Sequence, residues 1–203
     1  MVQSLYMLDK TLSFLKLIRN FENVHRMIYR PGDRQENDVE HSYQLAMMAW
    51  FLSEQFNLSL SKEKLFKYGL AHDLVEVYAG DTPAYAVEGG INTQETKKER
   101  EARAFEKIKQ EFGYFHDLME TIELYEHLKD DESLFIYELD KILPPLNIYL
   151  DDGYGWNKFG ITLDEISVEK RRKVTHVREL VDLLKEMLER FEKEKGRLFV
   201  GNG

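Results

Sequence analysis

The dipeptide His72-Asp73 is the feature that most constrains how this chain can fold. It lies in an otherwise apolar helical stretch, residues 68–77. Burying an imidazole and a carboxylate without partners costs on the order of 2 to 7 kcal/mol, and a divalent metal ion is a natural partner for both. One helical turn cannot supply enough ligands, so other segments must bring further His or Asp side chains to the same place. The sequence predicts two, His41 and Asp140.

Both additional residues lie on predicted helices in inward register. His41 precedes Leu45 by one helical turn, on a face whose apolar residues recur at helical spacing. Asp140 follows Ile136 by four residues and precedes Leu143 by three, so it shares their apolar face. The spacing therefore predicts that these side chains point into the interior of the protein.

Composition limits the kind of metal site. The chain has 203 residues, of which 43% are hydrophobic, and this predicts a single domain over residues 1–203 with a full core. It has no cysteine, so ligands must be nitrogen and oxygen atoms. Two His and two carboxylates suit one divalent ion, namely Mn, Co, Fe, Ni or Zn, and Mg less naturally.

Net charge and hydropathy limit the classes of binding partner that this protein can have. The net charge of -9 argues against binding polymeric nucleic acid, because such binding depends on basic residues that neutralise phosphates. A small anion held by a metal and one or two Arg remains compatible with it. The longest apolar run, 45–52, is too short to span a bilayer, and charged residues near the N-terminus interrupt any signal-peptide core. We therefore expect a cytoplasmic protein without a membrane partner.

Helical periodicity extends over most of the chain and predicts an all-α helical bundle without useful β-alternation. Leu5, Leu8, Leu12 and Leu15 share one face of a first helix, which should fade within 20–29 and break at Arg30-Pro31-Gly32. The later expected helices begin after a cap at Asp38 and cover about 38–56, 61–78, 93–112, 117–128, 133–145 and 164–195.

Several local features carry further expectations. Pro144-Pro145 should kink or stop the helix that begins near Ser133. The glycine-containing loop 84–92 could act as a lid. The basic run 170–173 is typical of a solvated helix face, Trp50 of a core residue, and Trp156 of a rim or a subunit contact.

The order of these motifs resembles a known family. His41, His72-Asp73 and Asp140 reproduce the H...HD...D pattern of the HD-domain metal-dependent phosphohydrolases, whose members are all-helical. The segments 36–41, Glu-Asn-Asp-Val-Glu-His, and 72–83, which contains Gly-Asp-Thr-Pro, resemble the branch typified by bacterial 5'-deoxynucleotidases. The resemblance covers about residues 20–150. A lone His-Asp pair is a weak signal, but the ordered set is specific.

The resemblance implies roles for individual residues. It implies metal ligation by His41, His72, Asp73 and Asp140, acid-base catalysis by Glu76, a phosphate or substrate contact by Arg26, and a place near the nucleoside for Asp81. Glu76 lies one turn from His72, so it can reach a metal-activated water without being a ligand. Arg30 and Arg34 compete with Arg26 for the phosphate. The family also implies a homodimer.

The expected function is metal-dependent removal of phosphate from nucleoside 5'-monophosphates, and the expected small-molecule substrates include deoxy and ribo forms. Two alternatives stay open. One is hydrolysis of another phosphoester, such as a nucleoside triphosphate or a signalling nucleotide. The other is a non-catalytic nucleotide-binding module, although such a module has no use for the spare carboxylate of Glu76. Deoxynucleotidases of this type often follow the substrate Arg with Trp, whereas here Met27 follows Arg26.

Overall fold

The protein is a helical bundle with one small β-hairpin, which agrees with the all-α expectation. The computed structural model describes residues 2–81 and 97–200, with side chains from Tyr6 onward, so the predicted lid at 84–92 lies outside the described residues. The helices are α1 (Val2–Phe21), α2 (Asp38–Gln55), α3 (Lys62–Ala71), α4 (Glu76–Ala79), α5 (Lys97–Phe112), α6 (His116–Glu126), α7 (Asp131–Leu150), α8 (Tyr154–Phe159), α9 (Leu163–Lys173), α10 (Arg178–Lys193) and α11 (Lys195–Leu198).

The hairpin corrects the expectation that no strand would form. Strands β1 (His25–Arg30) and β2 (Arg34–Asn37) pair antiparallel, and Pro31-Gly32 lies in the turn between them. Gly32 adopts a φ of 81°, a left-handed conformation that glycine enters without steric cost. The strands are short and half-buried, so they lack the long alternation by which a strand is recognised.

Helix α2 begins one residue earlier than its predicted cap implies. Asn37 caps the helix: its side chain accepts a hydrogen bond from the Glu40 backbone N–H, and the Glu40 carboxylate accepts one from the Asn37 N–H. Asp38 is therefore free of the capping role that its sequence position favours, and it is fully buried.

Helix α7 passes through both prolines and ends at Leu150, so of the two outcomes predicted for 144–145, a kink or a stop, the stop does not occur. A proline removes the hydrogen bond to the carbonyl four residues earlier. Here Leu143, Pro145 and Ile148 are all buried. Burial of this face offsets the lost backbone bonds, and the helix continues.

The predicted helix 164–195 is divided at residues 174–177, because a buried carboxylate on α7 captures the backbone there. Glu138 is fully buried and accepts hydrogen bonds from the backbone N–H groups of Thr175, His176 and Val177, at 2.7–3.0 Å. These groups are the unpaired donors ahead of α10. A tertiary contact of this kind leaves no trace in helical periodicity.

The main core places the candidate residues between α2, α3 and α7. It includes Leu45, Leu65, Ile136 and Leu139 from those three helices, with Leu184 and Leu188 from α10. Trp156 is buried within it and stacks on Phe199, whereas Trp50 is 45% exposed, so both tryptophan predictions are wrong. In the described part of the chain, no helix is long and apolar enough to cross a membrane.

Candidate metal centre

Four side chains from three segments converge where the sequence predicts a metal. His41 comes from α2, His72 and Asp73 follow the end of α3, and Asp140 comes from α7. Each offers a ligand atom, and these atoms all lie within 4.8 Å of one another. Both imidazoles are buried, and only the Asp73 side chain, at 18%, retains appreciable exposure. The grouping has the size and donor types of a divalent metal site.

Local backbone geometry orients His72. Its Nδ1 lies 3.1 Å from the Gly69 carbonyl and donates to it, which leaves the Nε2 lone pair facing Asp73 Oδ2 at 2.9 Å. Gly69 is required because α3 approaches α2 closely: a Cβ there would lie 2.9 Å from Ala46 Cα. Gly69 thus has two effects: its carbonyl fixes the tautomer of the His72 ring, and its missing side chain allows α3 to pack closely on α2.

His41 is oriented by a carboxylate behind it. Its Nε2 lies 2.8 Å from Asp140 Oδ1, and its Nδ1 lies 3.5 Å from Glu36 Oε1. Glu36 is fully buried at the end of β2. Burial raises the pKa of Glu36, but the His41 contact and the charges of His41 and Arg26 outweigh it and lower that pKa below its usual range. An ionised Glu36 holds the His41 ring as metal ligands are commonly held.

The donor set fits a divalent cation. His72 Nε2 is buried and has no hydrogen-bond partner, and His41 has both ring nitrogens directed at carboxylates. Buried polar atoms without partners are uncommon and call for an explanation. A cation bound by His41, His72, Asp73 and Asp140 supplies the partner that His72 Nε2 lacks.

Glu76 lies beside the four ligand residues without joining their group. It is the first residue of α4, is 2% exposed, and has one carboxylate oxygen without a partner. Its other oxygen lies 3.5 Å from Lys97 Nζ. Burial, followed by the negative charges of Asp73, Asp81 and Asp38, raises the pKa of Glu76 well above its usual range. It therefore stays protonated to a higher pH than a solvated glutamate.

Arg26 is the arginine that the fold brings to the ligands. Its NH1 lies 2.7 Å from Asp73 Oδ2 and 3.2 Å from Asp38 Oδ1, and its NH2 lies 3.8 Å from Asp140 Oδ1. Burial opposes its charge, but these carboxylates hold its pKa above the usual range. The two competitors pair elsewhere, Arg30 with Glu36 and Arg34 with Glu40 on the surface.

A cleft of about 270 Å³ opens beside the ligands, and it is large enough for a small organic ligand. Arg26, Met27, Glu76 and Asp81 line it together with Asp73 and Asp140. The Asp81 carboxylate accepts a hydrogen bond from the Met27 backbone N–H. Burial and the Asp73 charge raise the pKa of Asp81, while Arg26 and Lys97 oppose that rise. The fold therefore brings five of the predicted site residues to one cleft, and the other two, His41 and His72, are buried beside its ligand residues Asp73 and Asp140.

Sequence reasoning missed a second group of carboxylates. Asp38, Asp73 and Glu76 also offer oxygen atoms within 4.8 Å of one another. Asp38 looks like a helix cap in the sequence, yet it precedes His41 by three residues and so shares its helix face. That spacing is the signal from which its place could be found. Burial, followed by the charge of Asp73, raises the pKa of Asp38 to about 7.

The HD domain family matches residues 18–181, which is most of the chain and contains all four ligand positions. The chain belongs to the HD domain family. The match extends beyond the expected 20–150 and includes α9.

Curated relatives carry a more specific description. The human 5'-deoxynucleotidase HDDC2 is 30% identical over 135 residues, which is 64% of this chain and 62% of the relative. The Danio rerio protein of that name is 28% identical over 138 residues, 66% of each chain. The chain thus spans slightly under two thirds of the length of these relatives.

Solved structures share the fold of this HD-domain chain. A predicted metal-dependent phosphohydrolase from Magnetospirillum magnetotacticum superposes with a TM-score of 0.73 at 23% identity, covering 93% of this chain and 96% of that one. A protein from Pyrococcus horikoshii gives a TM-score of 0.61 at 20% identity, covering 90% and 98%. At these identities the likeness concerns the fold alone.

Proposed function

We propose that this HD-domain protein is a metal-dependent phosphohydrolase that removes phosphate from nucleoside 5'-monophosphates. The observation that carries the proposal is the buried His41, His72, Asp73 and Asp140 group with the carboxylate of Glu76 beside it. A binding module needs no buried acid next to its metal, so Glu76 favours catalysis over the non-catalytic alternative. The named relatives favour monophosphates as substrates.

The chain's residues have separable roles in this proposal. His41, His72, Asp73 and Asp140 hold one divalent cation. The bound cation supplies Lewis acidity, which makes a water molecule acidic enough to attack phosphorus near neutral pH. Glu76 accepts or donates the proton that moves during the reaction, and burial raises its pKa well above the usual range, as is common for carboxyl groups that exchange protons in active sites.

Arg26 and Asp81 bind the substrate in this proposal. The Arg26 guanidinium presents several donors in a fixed fork, which suits phosphate oxygens, and it already lies against two ligand carboxylates. Asp81 lines the same cleft and is held by the Met27 backbone, so its position is fixed before a nucleoside arrives. The two residues thus meet opposite parts of one nucleotide.

A phosphate-release screen tests the function. Chelated protein is resupplied with each of Mn, Co, Fe, Ni, Zn and Mg in turn and given nucleoside mono-, di- and triphosphates. We expect orthophosphate and free nucleoside from monophosphates with at least one metal. Release of pyrophosphate or of a shorter nucleotide as the main product would favour the alternative phosphoesters. Binding without any product under all metals would favour the non-catalytic module.

Met27 bears on the choice of sugar. It lines the cleft next to Arg26 and is narrower and more flexible than the Trp common at this place in deoxynucleotidases. An apolar wall rejects an added hydroxyl by only about 10²-fold at most. We therefore predict hydrolysis of both ribo- and deoxyribonucleotides. A kcat/KM ratio for a matched pair well above that scale would mean that another group, such as Asp81, distinguishes the sugars.

The proposal also includes an oligomeric state and a cellular location. We propose a homodimer, and the half-exposed apolar side chains of α1, among them Leu8, Leu12 and Leu15, supply a surface that a second copy can cover. We also propose a cytoplasmic location, in keeping with small nucleotide substrates.

A further inference from the structure

Two lysines of α9 face the cleft, although they belong to a basic run that is typical of a solvated surface. Lys170 and Lys173 line the same cleft as Arg26 and Asp140, and Lys170 is only 4% exposed. They are three residues apart and share one side of the helix. Arg171 and Arg172, between them, are exposed. The expectation of one uniform solvated face is therefore wrong.

The two lysines share a single carboxylate. Glu169 Oε2 lies 2.8 Å from Lys170 Nζ, and Glu169 Oε1 lies 2.7 Å from Lys173 Nζ. One carboxylate neutralises one ammonium, so the three side chains keep a net positive charge. The nearby carboxylate of Asp140 does not neutralise this charge, because it is already paired with Lys141, another lysine that lines the cleft. A half-buried surplus of charge is costly unless an anion compensates it.

The surroundings of Lys170 disfavour an ammonium group that no anion compensates. Burial lowers the pKa of Lys170 below its usual range, even though Glu169 opposes that shift. Lys141 lowers it further and Asp140 raises it, which places Lys170 within electrostatic reach of the metal ligands. Both lysines thus line the cleft that contains Asp73 and Asp140, but they are distinct from the four ligands and from Arg26.

The surface beside the lysines is apolar. Pro145, Ile148, Trp156 and Ile161 line the cleft as well. Apolar side chains with a few placed charges are the usual lining of a site for a small organic ligand. A nucleoside can lie against this wall while charged groups at its ends meet the metal ligands and the two lysines.

We propose that Lys170 and Lys173 form a second anion subsite, which binds a further phosphate on a nucleotide whose 5'-phosphate lies at the metal ligands. The inference rests on the proposed function, since it names the substrate class of the same cleft. Ammonium groups bind phosphate through charge-assisted hydrogen bonds, and each lysine has three donors, of which Glu169 uses only some.

Equilibrium binding to metal-loaded Glu76→Gln protein, in which turnover is slowed, tests the subsite while the 5'-phosphate keeps its metal. Adenosine 5'-monophosphate, adenosine 3',5'-bisphosphate and adenosine 5'-diphosphate are titrated by calorimetry. At least one of the two ligands with a second phosphate should bind about tenfold tighter than the monophosphate, as expected for one additional charge-assisted contact. Which of them gains shows where the second phosphate lies. If neither gains, the subsite does not exist.

Variants of Lys173 assign any gain to this helix. Lys173→Gln should remove most of the advantage of the second phosphate, Lys173→Arg should retain it, and Arg172→Gln on the exposed side should leave it unchanged. Lys173 is 28% exposed, so these changes are compatible with folding, which circular dichroism verifies. An advantage that survives Lys173→Gln would overturn the proposal.

The outcomes separate this inference from the proposed function. Phosphate release from monophosphates without a binding advantage for a second phosphate refutes only the subsite. A Lys173-dependent binding advantage without phosphate release from any nucleotide under any metal refutes only the hydrolase activity.

Discussion

At the scale of single residues, the candidate centre depends on how buried charge is distributed. Asp73 and Asp140 lie against the imidazoles and Arg26, whereas Glu76 has one oxygen without a partner and a lysine at 3.5 Å. The guanidinium of Arg26 favours the ionised form of Asp73 and Asp140, which suits a metal, whereas burial and three neighbouring carboxylates favour the protonated form of Glu76 in spite of Lys97. Neighbouring acids in one cleft thus acquire different chemistry from their surroundings.

A matched pair of isosteric substitutions tests this division. Asp73→Asn should abolish metal binding and activity while the helical fold persists, because it removes an anionic ligand. Glu76→Gln should keep full metal content and lower the rate by about 10²-fold or more, because it removes only a proton-transfer group. Metal content is measured by elemental analysis and rate by phosphate release. Near wild-type activity of Asp73→Asn would contradict the metal centre, and metal loss in Glu76→Gln would make Glu76 a ligand.

Asp38 supplies a prediction about pH. Its pKa is raised from 3.8 to about 7 in the folded protein, chiefly by burial. Between these values the native state keeps a proton that the unfolded chain has lost, so this group lowers stability as pH rises through that window. In metal-free protein, Asp38→Asn should therefore increase the free energy of unfolding at pH 8 by about 1 to 4 kcal/mol.

The same substitution should have little effect at pH 4, where both states of the wild-type protein carry the proton to a large extent. Urea unfolding at the two pH values measures the difference, and carboxylates distant from Asp38 cancel because both proteins contain them. A less stable Asp38→Asn protein at pH 8 would mean that the Asp38 ion pair with Arg26 outweighs the burial of its charge.

At the scale of elements, periodicity predicts most helices but fails wherever tertiary contacts act on the backbone. The ligand positions of His41 and Asp140 could be predicted, because each shares a face with apolar neighbours that must be buried. The break after α9 could not, because Glu138 causes it from another helix. The position of Lys170 and Lys173 in the cleft could not be predicted either, because a lysine that faces a cleft and one that faces solvent cannot be distinguished in the sequence.

Glu138 is predicted to be a strong determinant of stability. Glu138→Gln removes the negative charge that three backbone N–H groups share and turns one acceptor into a donor. We expect a loss of about 2 to 4 kcal/mol in the free energy of unfolding, since buried donors lose their partner. The control Glu179→Gln, in the first turn of α10, should cost only about 0.3 to 1 kcal/mol through the helix dipole. Equal losses from the two variants would contradict the capping role of Glu138.

At the scale of the whole molecule, α1 has apolar side chains of two kinds: some are buried in the protein and others are exposed on its surface. Leu17 and Phe21 of this helix are buried in the protein, while Leu8, Leu12 and Leu15 are 50–53% exposed. The apolar face of α1 that contains Leu8, Leu12 and Leu15 therefore lies on the surface of the single chain. Contiguous exposed apolar side chains of this kind mark contact surfaces more often than solvated ones.

The proposed homodimer therefore predicts that α1 carries the contact. Leu12→Lys places a charge in the centre of the exposed stripe, where a second copy would have to desolvate it, and should weaken association by about tenfold or more. Lys16→Gln, on the same helix among exposed polar positions, should leave association unchanged. Sedimentation equilibrium measures both. A wild-type protein that stays monomeric at high concentration would refute the dimer, and a dimer indifferent to Leu12→Lys would place the contact on another surface, such as the exposed α2 side chains Tyr43, Trp50 and Phe51.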